Sequence, residues 1–364
     1  MTRILVTGGA GFVGSHVVDA LVAAGDEVRV LDLLHPVAHR DKPDYLNPAA
    51  EYRWGDVADS GTVLDAVDGA QAVCHQAAMV GVGLDFGDAP AFAAHNDLGT
   101  AVLLAALHRH GFEGRLVLAS SMVVYGEGRY RCADHGTVRP GPRDQRLLDA
   151  GRWDPVCPRC EAVLSPEAVP EDARLNPRSV YAATKLHQEH LCAVFGREHD
   201  VPVTSLRYHN VYGPRMPRDT PYAGVASILR SALEAGHPPR VFEDGGQRRD
   251  FVNVRDVAHA NFLALHAPEP VTGPLNVASG GVRTVLEMAE ALSRAFGPGA
   301  PRPQVVGGLR PGDARHIFAA TERARERLGF SAQVGFETGM SQFASAPLRP
   351  PQVASVPQRQ GVAL

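Results

Sequence analysis

The chain has 364 residues, 45% hydrophobic and 21% charged, with a formal net charge of −4. That length holds one large core or two domains of ordinary size. The mildly acidic balance, with no basic run or aromatic-basic stripe, argues against a nucleic-acid partner, and apolar runs stop far short of the ~20 residues that span a bilayer. MTRILVTGGAGFVG enters a strand with no charged leader before a long apolar block, so a soluble cytoplasmic protein is expected.

In chain order, RILVTG, EVRVLD, AVCHQA and GRLVLAS are strand-length β-branched runs separated by helical patterns such as SHVVDALVAAG. Alternation of this kind builds a doubly wound α/β architecture, a parallel sheet covered on both faces. Residues 129–178 break the rhythm with a Pro-, Gly- and charge-rich insertion. The helix SVYAATKLHQEHLCAVFGREH and the strand VPVTSLRY resume the main fold. From about residue 209 the pattern is mixed, with the helix YAGVASILRSALEAG and then FVNVRDVAHANFLALHA, expected to return to the sheet. The predicted division is a first domain over 1–208, rejoined by 250–268, and a smaller mixed domain over 209–249 and 269–343. Residues 344–364, with little to bury, are expected to form a disordered tail.

TGGAGFVG, residues 7–14, lies between the first strand and the first helix and sets Gly8, Gly11 and Gly14 in a GxxGxxG spacing. Glycines let the backbone turn sharply and approach a pyrophosphate, which then rests on the helix N-terminal amides beside Phe12 and Val13. Weak alone, the spacing gains force from its position between strand and helix. The second strand ends at Asp32, where a carboxylate accepts hydrogen bonds from both hydroxyls of an adenosine ribose. A 2′-phosphate would meet like charge there, so NAD is expected over NADP. The bland alternative makes Asp32 a solvated strand end. Asp56 and Val57, in GDVAD after a further strand, suit an adenine edge.

Tyr181 and Lys185 stand four apart and share one helix face. An ammonium beside a phenol favours the phenolate, lowering a pKa that is ordinarily about 10, so Tyr181 is expected to act as a base near neutral pH. Such pairs are common on surfaces. The glycine fingerprint upstream, and ASSMVVYG at the end of a strand between the two motifs, favour the catalytic reading.

With these motifs the chain resembles the extended short-chain dehydrogenase/reductase family, specifically its nucleotide-sugar epimerases and dehydratases. TGGAGFVGSH, HQAA, the N-x-x-GT of Asn96 to Thr100, SSMVVYG, YAATK, LRYHNVYGP, GGQRRDFVNVRDVA and LRPGD stand in family order over about residues 1–343. The resemblance implies a Rossmann-type first domain, bound NAD, and a homodimer formed by the helices after Asn96 and around Tyr181. It makes Ser121 the hydroxyl that hydrogen-bonds the reacting sugar oxygen, Tyr181 the base, and Lys185 the residue that lowers its pKa and holds the nicotinamide ribose. Ala77, Ala78 and Asn96 match cofactor positions, and Met79, Gly81, Met122, Arg215 and Val241 substrate positions. Asn210, Arg249, Arg310 and Asp313 match positions that grip the diphosphate and ribose of a sugar nucleotide, a task suited to the arginine fork. Met122 and Val123 stand where the 4,6-dehydratase branch has an Asp-Glu pair, and the cysteine of the 3,5-epimerase branch is absent. Only Ser121, Tyr181 and Lys185 remain. That set oxidises an alcohol and returns the hydride, which is 4-epimerisation with recycled NAD.

Five cysteines in so long a chain do not make a disulfide scaffold, and Cys74 and Cys192 lie in apolar patterns expected of a core. The other three fall in the insertion. Cys132-x2-His135 and Cys157-x2-Cys160, with 21 residues between, form the Cys3His complement of a zinc-ribbon-like site. A metal clip would supply folding energy that this polar segment lacks. A subset of bacterial dTDP-L-rhamnose 4-epimerase-like proteins carries a cysteine-pair insertion here, and the chain resembles it, with His135 where a cysteine is expected. Four protein ligands leave no open coordination position, so the expected role is a staple that shapes a wall of the sugar pocket.

In the family the loop AAMVGVGLDF borders the hexose, and here Met79, Val80, Val82, Leu84 and Phe86 are apolar, while Gly83 stands where many glucuronate epimerases have an arginine. A buried uronate without a cation would be costly, whereas a 6-deoxy methyl gains roughly 1 kcal/mol on burial. A dTDP-6-deoxyhexose such as dTDP-L-rhamnose is therefore expected. Arg215 keeps UDP-glucuronate open, and a UDP-glucose 4-epimerase and a nucleotide-sugar dehydrogenase or ketoreductase also compete. The alternative outside enzymes is an NAD-sensing regulator, which would have no use for an activated phenol.

Overall fold

The computed structural model describes residues 2–36, 38–39, 41–81, 86–218, 224–309 and 313–348. Short apolar runs become buried strands. β1 (Arg3–Thr7), β2 (Glu27–Asp32), β3 (Glu51–Trp54), β4 (Ala72–His75) and β5 (Arg115–Ser121) alternate with α1 (Phe12–Ala23) and α2 (Ser60–Val67). Between β4 and β5 lie α3 (Ala89–Phe92), a wide π turn over Ala93–Leu98, and α4 (Gly99–Arg109). The insertion carries β6 (Arg129–Cys132), β7 (Gly136–Val138), α5 (Gln145–Asp149) and β8 (Ser165–Glu167). Then come α6 (Val180–His199), β9 (Val203–Tyr208), β10 (Asn210–Tyr212), α7 (Val225–Glu234), β11 (Arg240–Phe242), β12 (Arg248–Asn253) and α8 (Val254–His266). The chain continues through β13 (Gly273–Val277), β14 (Val282–Thr284), α9 (Val285–Phe296), β15 (Gln304–Gly307), β16 (His316–Ile317), α10 (Glu322–Leu328) and α11 (Phe336–Ser345).

Seven strands form one sheet in the order β13-β9-β5-β4-β1-β2-β3, every pair parallel. Side chains such as Val17, Leu21, Val257 and Leu328 cover one face, and Val63, Leu103, Cys192 and Phe195 the other. The strand order reverses between β1 and β4, which opens the crevice where doubly wound sheets bind their ligands. Among the described residues no helix is long and apolar enough to cross a membrane.

The segment FVNVRDVAHANFLALHA rejoins the first domain only through α8. Its strand, β12, pairs instead with β10, β14 and β16 in a small mixed sheet. The strand that reaches the main sheet is β13, beside β9, which sequence reading placed in the second domain. Both are short apolar runs, and composition does not distinguish their partners. The smaller core is built from α7, α9 and α11 through Leu229, Leu233, Met288, Leu292, Met340 and Phe343. Helix α11 enters the segment expected to be disordered, and Leu348 joins this core; residues 349–364 lie outside the described residues.

The insertion folds as a three-stranded sheet, β7-β6-β8, around Tyr130, Cys132, Cys157 and Leu164. Val169 donates to Phe318 O at 2.9 Å and accepts from Ala320 N at 3.0 Å, which lays the insertion along the C-terminal segment.

Candidate active site

β1 runs into a turn at Gly8, with φ +70°; a Cβ there would lie 2.6 Å from Ala77 N, and one at Gly14 would lie 2.1 Å from Gly8 O. No side chain fits at either position. The turn therefore presses on the loop after β4, and α1 opens at Gly11 with no side-chain cap, leaving first-turn amides for an anion. Asp32 is 8% exposed and accepts from Ala10 N at 2.9 Å and Leu34 N at 2.8 Å. It thus fixes the glycine turn as well as ending β2, a tie the sequence did not reveal.

β5 delivers Ser121 opposite Tyr208 of β9. Ser179 caps α6 by accepting from Ala182 N at 3.1 Å, and this start aims Tyr181 and Lys185 at the strand end. All three line a cleft of about 880 Å³ together with Gly8, Gly11, Phe12, Val13, Gly14 and Asp32. Lys185 is 3% exposed and donates to Ala119 O at 2.9 Å; burial brings its pKa down to about 8. Burial pushes the Tyr181 phenol up to about 12, against a downward pull from its hydrogen bond with Ser121. The lowering expected from Lys185 is not what the phenol experiences here: its ammonium is turned to Ala119 O, and desolvation of the phenolate dominates.

Asp56, Val57, Ala77, Ala78, Met79, Gly81, Met122, Asn210, Val241, Arg249 and Asp313 line the same cleft. Asn96 does not line it. It is buried in the π turn, accepting from Met79 N at 2.7 Å and donating to Met79 O at 3.0 Å and Thr184 Oγ1 at 2.9 Å, so it shapes the Met79 loop from behind. Nor does Arg215, whose guanidinium meets Asp19 at 2.8 Å and stacks over Tyr45. Arg310, Val82, Gly83 and Leu84 lie outside the described residues. Val80 lines the cleft, but Phe86 is 81% exposed and does not.

Several lining residues escaped sequence reading. His35 and His95 meet edge to face, 5.1 Å between centroids, and both line the cleft. Met216, Ile228, Leu229 and Phe242 come from the smaller domain. His209 is 4% exposed, and neither ring nitrogen has a partner of hydrogen-bond geometry; burial lowers its pKa to about 4, against an upward pull from Asn276. Its signal was its place beside Asn210, just past the end of a parallel strand.

In the insertion, one ligand atom from each of Cys132, His135, Cys157 and Cys160 lies within 4.8 Å of the other three. Cys132 Sγ is 3.5 Å from His135 Nδ1 and 3.6 Å from Cys160 Sγ, and Cys157 Sγ is 3.6 Å from the same imidazole nitrogen. Tetrahedral zinc with Zn–S of ~2.3 Å and Zn–N of ~2.05 Å requires S···S of ~3.8 Å and S···N of ~3.5 Å. Burial opposes ionisation of Cys157, yet hydrogen bonds from the backbone of Arg159 and Cys160 and from the thiols of Cys132 and Cys160 bring its pKa down to about 6.

Residues 4–145 and 156–278 match the model of the NAD dependent epimerase/dehydratase family. A dTDP-L-rhamnose 4-epimerase of Burkholderia thailandensis is 34% identical, over 94% of this chain and 93% of that one. Among solved structures, Thermus thermophilus UDP-glucose 4-epimerase in complex with NAD is 32% identical with a TM-score of 0.74, covering 94% of this chain and 98% of that one. A Thermotoga maritima UDP-glucose 4-epimerase with UDP-glucose is 29% identical with a TM-score of 0.76, covering 94% and 97%. By its matched segments and its relatives, the chain belongs to the NAD dependent epimerase/dehydratase family.

Proposed function

We propose that this chain is an NAD-dependent nucleotide-sugar 4-epimerase whose substrate is a dTDP-6-deoxyhexose such as dTDP-L-rhamnose. The observation that carries the reading is the convergence of Ser121, Tyr181 and Lys185 on one cleft beside Met122 and Val123, which offer no second acid or base. The dinucleotide fits: no Cβ is tolerated at Gly8 or Gly14 where a pyrophosphate would rest, and Asp32 stands where the adenosine ribose would end. NAD, when bound, would supply the hydride acceptor and donor for oxidation and re-reduction at sugar C4. Ser121 donates a hydrogen bond to the C4 oxygen, and Tyr181 takes the hydroxyl proton and later restores it. A phenol held near 12 needs positive charge close by before it yields that proton, and Lys185, charged below about 8, supplies part of it. Asn210, Arg249 and Asp313 are the described candidates for gripping the nucleotide diphosphate, with Val241 on the same wall.

A neutral sugar is supported by Met79, Val80 and Met122 in the lining and by the commitment of Arg215 to Asp19. Arg178, the lining cation before Tyr181, is paired with Glu127 at 3.0 Å. A buried uronate would lack a free partner among these residues. The test is turnover of dTDP-L-rhamnose, UDP-glucose and UDP-glucuronate side by side. The highest kcat/KM is expected for the 6-deoxy sugar, and a clear preference for glucuronate would overturn the assignment.

We further assign structural zinc to Cys132, His135, Cys157 and Cys160, at about one equivalent per chain by elemental analysis. A homodimer through α4 and α6 is supported by two exposed apolar residues, Leu98 immediately before α4 and Val194 in α6, 52% and 41% exposed. Light scattering giving a monomer at micromolar concentration would refute it. Five cysteines with no disulfide among them suit a reducing, cytoplasmic location.

A further inference from the structure

We propose that Arg143 and Asp154 of the insertion are positioning residues for the nucleotide-sugar wall of the cleft, and that metal loading of the adjacent Cys3His knuckle sets substrate affinity through them. The inference rests on reading that knuckle as a metal site and this cleft as a nucleotide-sugar site.

The wall in question consists of two segments, one through Val241 and Phe242 and one through Asp313 and Ala314, with Arg249 between. Arg249 donates to Ala314 O at 2.5 Å and to Arg315 O at 3.0 Å, so its guanidinium is placed by where that second segment lies. Immediately after each segment comes a buried charge, Glu243 and Arg315, with side chains 2% and 3% exposed. The two are joined at 2.7 Å, and Arg315 also meets Asp244 at 2.7 Å.

The insertion closes this group from the other side. Arg143 donates to Glu243 Oε1 at 2.6 Å and to Asp313 O at 3.2 Å. Asp154 accepts from Arg315 Nε and makes a hydrogen bond with His316 Nε2, each at 2.9 Å. Glu243 has a φ of +54°, a conformation a side-chain-bearing residue keeps only when its surroundings over-determine it, and Arg143 and Arg315 grip its two carboxylate oxygens. Buried, charge-assisted contacts of this kind are strong when complete and costly when one partner leaves.

Asp154 and the knuckle are consecutive. Leu164 N donates to Pro155 O at 2.9 Å and Cys157 N to Ala162 O at 2.8 Å, so the turn that presents Cys157 and Cys160 closes on the residue after Asp154. On the other side of the knuckle Tyr130, packed with Cys132 and Cys157, donates to Glu127 at 2.8 Å and accepts from His316 N at 3.1 Å. Four small-core side chains hold little of the insertion's ordering entropy, so a bound metal would determine whether Asp154 stays in register with Arg315. The glycine turn and Asp32, by contrast, belong to β1, α1 and β2.

The experiment uses the full chain in three states: as purified, dialysed against a chelator, and re-supplied with zinc. Zinc content, bound NAD, the Kd for dTDP by calorimetry, and KM and kcat for the epimerised sugar are read in each. The metal-stripped protein should keep its NAD and bind dTDP about tenfold more weakly, with recovery on adding zinc; a tenfold change corresponds to about 1.4 kcal/mol, in the range of one such contact. Asp154→Asn and Arg143→Gln, fully zinc-loaded, should raise KM and Kd by a similar factor with kcat within about twofold, and Arg143→Lys should recover part of it. Zinc loss that leaves dTDP affinity unchanged overturns the coupling. Zinc-loaded variants with unchanged KM overturn the positioning roles. Protein that never binds zinc refutes the metal reading and with it the coupling, while the two variants, compared with the parent chain, still decide the positioning roles. Protein that epimerises no sugar nucleotide yet binds dTDP refutes the activity and leaves the affinity arm decisive.

Discussion

In the proposed mechanism Tyr181 meets two opposed demands in one side chain: it would have to lie deep enough to exclude water from the transfer, and burial pushes its phenol up to about 12. Replacing it with Phe keeps the packing against Phe92 and removes only the proton acceptor. We expect bound NAD to be unchanged and kcat to fall by roughly 10²–10⁴-fold; near-full turnover would remove Tyr181 from the mechanism. Asp32 is a less simple residue than its strand-end position suggested, because both oxygens already hold backbone amides. Asp32→Asn should weaken NAD and narrow its advantage over NADP, measured as the ratio of the two Kd values. An unchanged ratio would refute the ribose assignment. His75 and His209 are neutral in the fold, their pKa values brought down by burial from 6.5 to about 3 and about 4. Unfolded, both titrate near 6.5, so the unfolded chain binds more protons between about 4 and 6.5. Stability is therefore complete above pH ~6.5 and declines as pH falls, with His209 contributing on the order of 3 kcal/mol by pH 4. Urea midpoints between pH 7.5 and 4.5 should show this fall, and His209→Phe should flatten it. An identical slope in the variant would contradict the assigned burial.

The strands that carry the nucleotide end were legible because buried parallel strands are continuous apolar runs; EVRVLD and β2 have the same limits. The glycine turn was legible for a similar reason, since close backbone approach leaves a residue-type signature. Gly14→Ala sets a Cβ 2.1 Å from Gly8 O, so it should abolish NAD binding and lower the thermal midpoint. NAD retained at wild-type affinity would contradict the turn geometry. What could not be read was which sheet β12 and β13 join, because partner choice for a short apolar run is a tertiary decision. Asn96 was placed at the cofactor by its motif, yet it supports the Met79 loop from behind; a motif gives a residue's address, not the direction of its carboxamide. The knuckle was visible as two pairs of ligands, but the Arg143 and Asp154 contacts were not, because they join residues about 100 and 161 apart. Cys157→Ser should speed proteolysis within 129–178 by loosening this element, and an unchanged cleavage rate would mean that the polar contacts alone hold it.

At the scale of the whole molecule, the cleft lies between a dinucleotide half whose strand order reverses at β1 and a smaller half that closes over it with Arg249, Asp313 and Val241. On the proposed reading this division would separate the two ligands, one half handling the recycled oxidant and the other recognising the nucleotide of the sugar. It predicts a reaction with no net redox change, in which the hydrogen removed from C4 never leaves the cleft. The most direct measurement is turnover of dTDP-L-rhamnose carrying deuterium at C4, followed by mass spectrometry of the sugar and absorbance of the free cofactor. The account predicts a C4 epimer that retains its deuterium at C4 with no reduced cofactor accumulating in solution. Deuterium lost to solvent, or reduced cofactor formed in proportion to product, would contradict it.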